Sequence, residues 1–412
     1  MLSPKVILLR DVLDEHFEEL QFLWGLRRDS LRSPELTLPK VRRLESRMEA
    51  HAEGLLLARG ELPEILGGAL TSDDPLASFA AGYTLLRCGV PGAAASVVEA
   101  FRGAAGGCRE GLCEALSHGD VRSVSGELAD CLKSGDSGLA VAAATALALQ
   151  RQPVGPDPQE SRFRDDADAS VRAAGWRLVP LLASPPRPEA FRRGFSDQDA
   201  SVAREAAVAA AWFALPEVLE TCRERAQAGG EVAAQWLYLL AVLGEPADLA
   251  AVAGASSGQA GRGRSGPRAL GALGHPGGVS ALLEAMDSED PVRASAAGAA
   301  FVKITGAEVA SDRRATVVPP GEPPDDFEAE FLEEVALPDA AAARTYWQDV
   351  RPTFGKGTRW CRGADVSSGC PVELLEVIDM ESRWEACLRG RFHGTWKGPA
   401  SELVRLVPEA WR

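Results

Sequence analysis

The sequence predicts an all-α protein whose middle, residues 61–306, is an α-solenoid of short two-helix repeats, with a helical N-terminal cap and a C-terminal closing segment. Three observations carry this. A phrase consisting of an acidic turn, a small residue, Val, Arg and a run of alanines recurs along the chain. Its copies fall on a common period. Glycines recur where the second helix of each pair should end.

The clearest copies begin at Asp168 (Asp168-Ala169-Ser170-Val171-Arg172-Ala173-Ala174), Asp199 and Asp290, with a weaker one at Asp74. Asp168 and Asp199 are 31 residues apart, while the gaps from Asp74 to Asp168 and from Asp199 to Asp290 are 94 and 91, each near three periods. Phase-matched copies stand at Asp136-Ser137-Gly138-Leu139 and Gly229-Gly230-Glu231-Val232. In each unit, an Asp at the turn can accept the free N–H groups of the second helix, and Pro291 after Asp290 suits its first turn. Val and Ala then share one face and Arg lies on the other. Gly89, Gly244 and Gly306 stand where those helices should stop. A single such hairpin leaves its apolar face wet, and stacking buries it.

Four segments follow from this reading. Residues 1–60 form the cap: one amphipathic helix over 14–28 carries Phe17, Leu20, Leu23 and Trp24 on one face, and a second spans 41–55. Residues 61–306 are the repeats, loosest at 254–278, where nine glycines include Gly261-Arg262-Gly263-Arg264. That stretch reads as a repeat with a long surface turn. It has no strand–loop–helix setting and no Gly-Lys-Ser/Thr ending, so it is no phosphate loop. Residues 307–340 read as an acidic, Pro-rich linker, with Phe327, Phe331 and Leu332 docking a short acidic helix. Residues 341–412 resume the hairpin rhythm at 371–378 and 384–388, after a turn, Phe354-Gly355-Lys356-Gly357-Thr358-Arg359-Trp360, anchored by its Trp.

Charge excludes several functions. The net charge is -15, yet residues 1–60 balance and 322–339 hold eight acidic residues with no Lys or Arg. No domain-scale basic field exists, so nucleic acid and anionic membranes are poor partners, and no apolar run reaches the length of a membrane span. The eight cysteines form no CxxC pair and the five histidines are scattered, so no metal or cofactor site is expected. Without a signal peptide, and with cysteines at core spacing, the expectation is buried, reduced thiols in a cytoplasmic protein. His51 lacks a neighbouring nucleophile, and no catalytic residues are assigned. The expected partner is another protein. The residue types favoured at interfaces single out Trp24, Arg27, Arg28, Arg262, Arg264, Lys356, Arg359 and Trp360.

The repeat phrase resembles the HEAT-like repeats of bacterial proteins, of the short kind also seen in phycobilin lyases. A second resemblance spans nearly the whole chain. Phe22-Leu23-Trp24 with Arg27-Arg28, then Leu44-Glu45-Ser46-Arg47-Met48-Glu49-Ala50-His51 through Leu55, and in the tail Tyr346-Trp347, Arg351, Phe354 and Gly357-Thr358-Arg359-Trp360, are similar to an uncharacterised bacterial HEAT-like repeat family. Its members are commonly associated with type VI secretion gene clusters. The resemblance implies a pathway, type VI secretion, and no mechanism; the repeat, the acidic surface and the lack of a catalytic cluster point to a non-enzymatic scaffold or adaptor. The alternatives are an immunity-type inhibitor of a toxin, or a HEAT-like lyase or ligand-binding protein. A glycosylase-like relative would need a basic concave face, and the charge opposes it.

Overall fold

A computed structural model describes residues 9–154, 158–182, 184–227, 230–258, 261–318, 327, 331–355 and 357–406. The chain is mostly helical. It falls into two compact units, one of Met1–Ala209, Asp379–Glu381 and Gly398–Arg412, the other of Ala210–Ile378 and Ser382–Lys397. These do not follow the four segments read from sequence. The division falls inside a helix, Ala200–Trp212.

In the first unit, α1 (Arg10–Ser30) and α2 (Leu38–Leu56) form the expected helical pair, packed against each other, and Leu20, Leu23 and Trp24 are buried. The chain continues through α3 (Leu62–Leu66), α4 (Pro75–Leu85), α5 (Ala93–Gly103), α6 (Gly106–His118), α7 (Ser125–Cys131), α8 (Ser137–Leu149), α9 (Pro158–Arg164), α10 (Ala169–Leu178), α11 (Pro188–Phe195) and α12 (Ala200–Trp212). Here α4 packs on α6, α6 on α8 and α8 on α10, each the second helix of its pair. Of these, α4 and α8 are nearly all Ala, Leu and small residues and are buried almost around their whole circumference. Ser78 and Gly82 let α6 approach α4 closely; a Cβ at Gly111 would lie 2.1 Å from the Pro75 carbonyl oxygen.

The predicted aspartates cap these helices. Asp74 Oδ1 accepts from the Leu76 N–H at 2.9 Å, Asp136 from Leu139 at 3.1 Å, Asp168 from Ser170 at 2.7 Å, and Asp199 from Ser201 at 2.8 Å. Each satisfies an N–H that has no partner inside its own helix. Arg172 forks onto Asp197 of the next turn (Nε to Oδ2 and Nη2 to Oδ1, both 2.8 Å), and Arg109 does the same to Asp136. A planar guanidinium can bridge two turns in this way, binding one repeat to the next.

The second unit repeats the pattern with α13 (Glu217–Arg225), α14 (Gly230–Leu243), α15 (Leu249–Ser257), α16 (Ser265–Leu273), α17 (Val279–Ala285) and α18 (Pro291–Thr305). Again the second helices, α14, α16 and α18, pack in succession. Asp290 caps α18 through the Val292 N–H at 3.0 Å, and Gly306 ends it at φ 73°, a conformation that suits glycine. Arg223 forks onto Asp248, 25 residues ahead, as Arg172 does onto Asp197. Within the Gly-rich stretch, α15 ends at Ser257 and α16 begins at Ser265.

The segment 307–340 is not a plain linker. Strands β1 (Ala310–Thr316) and β2 (Glu334–Pro338) pair antiparallel, with Arg314 opposite Ala336 and Thr316 opposite Glu334, and β2 lies on α18. Ala310–Thr316 carries no apolar alternation that would mark it as a strand. Phe327 and Phe331 are 69% and 72% exposed, and the acidic stretch 328–330 expected to form a docked helix with them lies outside the described residues. Beyond them come α19 (Ala340–Phe354), a two-residue-per-strand hairpin of β3 (Trp360–Cys361) and β4 (Ala364–Asp365), α20 (Val372–Leu375) and α21 (Met380–Phe392). All eight cysteines are free thiols, five of them buried. Among the described residues no helix is long and apolar enough to cross a membrane.

Candidate functional site

The ends of the repeat helices in the second unit pose a problem of hydrogen bonding. The last carbonyls of α14 and α16 have no partner within their helices, and they are covered by protein rather than water. The β3–β4 hairpin and α21 supply the partners. Arg359, 8% exposed, donates from Nη1 to the carbonyls of Val242 (3.2 Å) and Ala272 (2.9 Å), and from Nη2 to those of Ala241 (2.9 Å) and Gly244 (3.2 Å). One guanidinium thus caps two helices, where their dipoles favour positive charge. Arg389 adds Nη1 bonds to the Gly244 carbonyl at 2.6 Å and the Leu243 carbonyl at 3.3 Å, and the His393 Nε2 meets the Leu243 carbonyl at 2.8 Å. The hairpin backbone continues the series. Trp360 N–H donates to Gly274 at 2.8 Å, Arg362 to Lys303 at 2.7 Å, and Gly363 to Ile304 at 3.0 Å.

These groups surround a cavity of ≈ 200 Å³. Its polar wall holds Lys303, Glu385, Arg389 and His393; Trp360, Val366, Cys370 and Ala386 make an apolar one. Lys303 Nζ sits 2.7 Å from both oxygens of Glu385, whose Oε1 also accepts from the Tyr238 hydroxyl at 2.6 Å. Both members of this ion pair are largely buried, so it is locally neutral. Burial pushes the Arg359 cation far below its usual range, and the neighbouring Arg389 pushes it further; Glu385 opposes both. Arg389 itself falls to about 10 through burial. Burial raises the Cys370 thiol to about 12, so at neutral pH it is protonated and a weak nucleophile. Among the described residues the buried Trp360 indole N–H has no hydrogen-bond partner.

The other residues singled out from sequence fall into three groups. Trp24, Arg27 and Arg28 come together on α1 in the first unit. Trp24 stacks on Phe79 with ring centroids 3.7 Å apart, and Arg27 sits 5.3 Å over the Trp24 ring while binding Glu45 Oε1 (3.1 Å) and the Val404 carbonyl (2.7 Å). Trp24 and Arg27 are buried, so they pack the core and cannot form a partner surface. Arg28, partly exposed, pairs with Glu110 and Glu114. Arg262 and Arg264 are exposed, before α16. Lys356 lies outside the described residues. Arg359 and Trp360 are adjacent as expected, but both are buried within the chain. The residues missed are Lys303, Glu385, Arg389 and His393. Each is an ordinary helix residue in sequence; the one available signal was the clustering of Arg389, Arg391 and His393 at the end of α21, suited to binding helix carbonyls.

His16 and His51 of the first unit approach at 3.0 Å between Nδ1 atoms, and burial and the neighbouring His16 lower His51. Among the described residues no group of three or more His, Cys, Asp or Glu is placed to hold a metal ion.

No protein-family model matches the chain, and no curated protein matches it. The functional reading therefore stands on the residues themselves.

Proposed function

We propose that this chain is a non-enzymatic, cytoplasmic scaffold or adaptor that binds another protein, built on an α-solenoid of HEAT-like repeats. The period of the Asp caps and the Arg–Asp forks between successive turns support the solenoid. The observation that carries the binding role is the pair Phe327 and Phe331. Their rings lie 5.1 Å apart, both are mostly exposed, and they stand within the stretch 322–339 with its eight acidic residues. Exposed aromatic side chains in a charged surround are the usual form of an interface anchor. The charge selects a partner with a basic rim around an apolar pocket. On the family resemblance, the pathway is bacterial type VI secretion, in which this chain is an accessory component.

An immunity-type inhibitor would use the same acidic segment against a basic toxin, and the identity of the captured partner separates the two roles. The test is co-purification with the full chain and with a Phe327→Ala/Phe331→Ala variant, followed by mass spectrometry. The expected result is a basic protein retained by the parent chain, released by added salt and lost from the variant. A partner list that is irreproducible, or indifferent to the two Phe, sinks the reading.

A further inference from the structure

The cavity between the β3–β4 hairpin, α16, α18 and α21 has a charge pattern that packing alone does not explain. Three cations, Lys303, Arg359 and Arg389, line it against a single carboxylate, Glu385. Lys303 and Glu385 neutralise one another at 2.7 Å. Arg359 spends its guanidinium on four carbonyls. Arg389 is different. Only its Nη1 is engaged, on Leu243 and Gly244, and among the described residues its Nε and Nη2 meet no acceptor. The guanidinium is therefore anchored at one end and open at the other, with its orientation already fixed. That is the arrangement a fork-shaped donor needs to receive an oxyanion, since two parallel N–H bonds can form at no further cost in side-chain freedom.

The rest of the wall indicates the ligand's body. Trp360, Val366 and Ala386 are apolar, and the Trp360 indole N–H is buried in the same wall without a partner among the described residues. At ≈ 200 Å³ the space falls below the about 300–1,000 Å³ of ordinary ligand clefts, so only a small molecule fits. An anion here would also screen the two arginine cations from each other in a low-dielectric setting, where like charges repel most.

We propose that this cavity binds a small organic oxyanion, a carboxylate or phosphate on a short apolar body, with the open donors of Arg389 holding the charged end and Trp360 the apolar one. This site does not depend on the Phe327–Phe331 surface.

The experiment uses the full chain, with inorganic phosphate and propionate as probes, titrated at constant ionic strength against chloride. Thermal shift and calorimetry report binding. A saturable rise in Tm with either probe, absent with chloride, is expected; phosphate alone indicates a phosphate ester, propionate alone a carboxylate. Arg389→Gln should weaken binding at least tenfold. Because Arg389 also caps α14, a second variant is needed: Ala386→Leu fills the cavity while leaving every cap in place, and it should weaken binding similarly. Arg28→Gln, the same change of charge in the other unit, should leave it intact. The proposal is overturned if neither probe binds more than chloride does, or if binding survives in both Arg389→Gln and Ala386→Leu.

Discussion

The indole N–H of Trp24 donates to Oε2 of Glu114 at 2.5 Å, joining the first helix of the chain to the second helix of a repeat. Burial lifts the Glu114 carboxyl to about 7 from its usual 4.5, against the pull of Arg28, the Trp24 hydrogen bond and Arg27, with Glu110 adding to the rise. A carboxyl raised in the folded state holds a proton there that the unfolded chain has released. Between about pH 4.5 and 7 the folded form is therefore penalised progressively as pH rises, and the penalty is complete above 7. Glu114→Gln should abolish this slope and gain on the order of 1–3 kcal/mol at pH 8 relative to pH 5. His118, partly buried against the same Trp24 and held well below its usual value by burial and by Arg27 and Arg405, acts in the opposite sense: the folded form is penalised as pH falls below about 6.5. Denaturant unfolding of both proteins across pH 5–8 isolates the Glu114 part as their difference; equal slopes would refute it.

Arg359 should be among the least replaceable residues of the second unit. Arg359→Met leaves four helix-end carbonyls without donors, and each unsatisfied buried group costs about 1–3 kcal/mol. A loss of at least about 3 kcal/mol is expected. Arg359→Lys keeps the charge but cannot span four acceptors, so it should rescue only a minor part. Urea midpoints would show it, and full rescue by Lys would mean that charge alone matters.

Gly274 tests the docking of the hairpin. It sits at φ 66°, and a Cβ there would lie 2.6 Å from the Trp360 carbonyl oxygen. Gly274→Ala combines backbone strain with that clash, at a cost of about 1–3 kcal/mol. A red shift in Trp emission, from Trp360 moving toward water, should accompany the loss.

The repeat caps should behave independently of one another. Asp290→Ala removes the bond to the Val292 N–H and should cost about 1 kcal/mol. Hydrogen exchange should speed up at the first turn of α18 and stay unchanged at the caps of α8 and α10. Uniform acceleration across the chain would argue against independent capping.

Most of the helical layout was legible from sequence because its signals are local. An Asp that accepts an N–H two or three residues on, and a Gly that ends a helix, act within one turn, so the phrase at Asp168 or Asp290 carries its own structure. The strands β1 and β2 were illegible: Ala310–Thr316 is almost wholly polar, and its pairing with Glu334–Pro338 depends on a surface that α18 provides. The role of Arg359 was hidden for the same reason. Its acceptors lie 87 to 118 residues earlier in the chain, and Arg beside Trp looks alike at an interface and in a buried cap. Arg389 and Glu385 looked like ordinary helix-surface charges, because the packing of α21 that buries them leaves no periodic mark.

The capping of α14 by Arg359, Arg389 and His393 has a consequence for how the chain is made. These contacts close over 115, 145 and 150 residues. During synthesis, α14 and α16 emerge long before their carbonyl partners do, so the second unit has to wait, incompletely hydrogen-bonded, until the hairpin and α21 have left the ribosome. Closing such long loops is slow relative to forming the helices themselves. A premature stop anywhere before residue 359 would therefore yield repeats that are helical yet open at one end, the kind of species that chaperones hold and proteases remove.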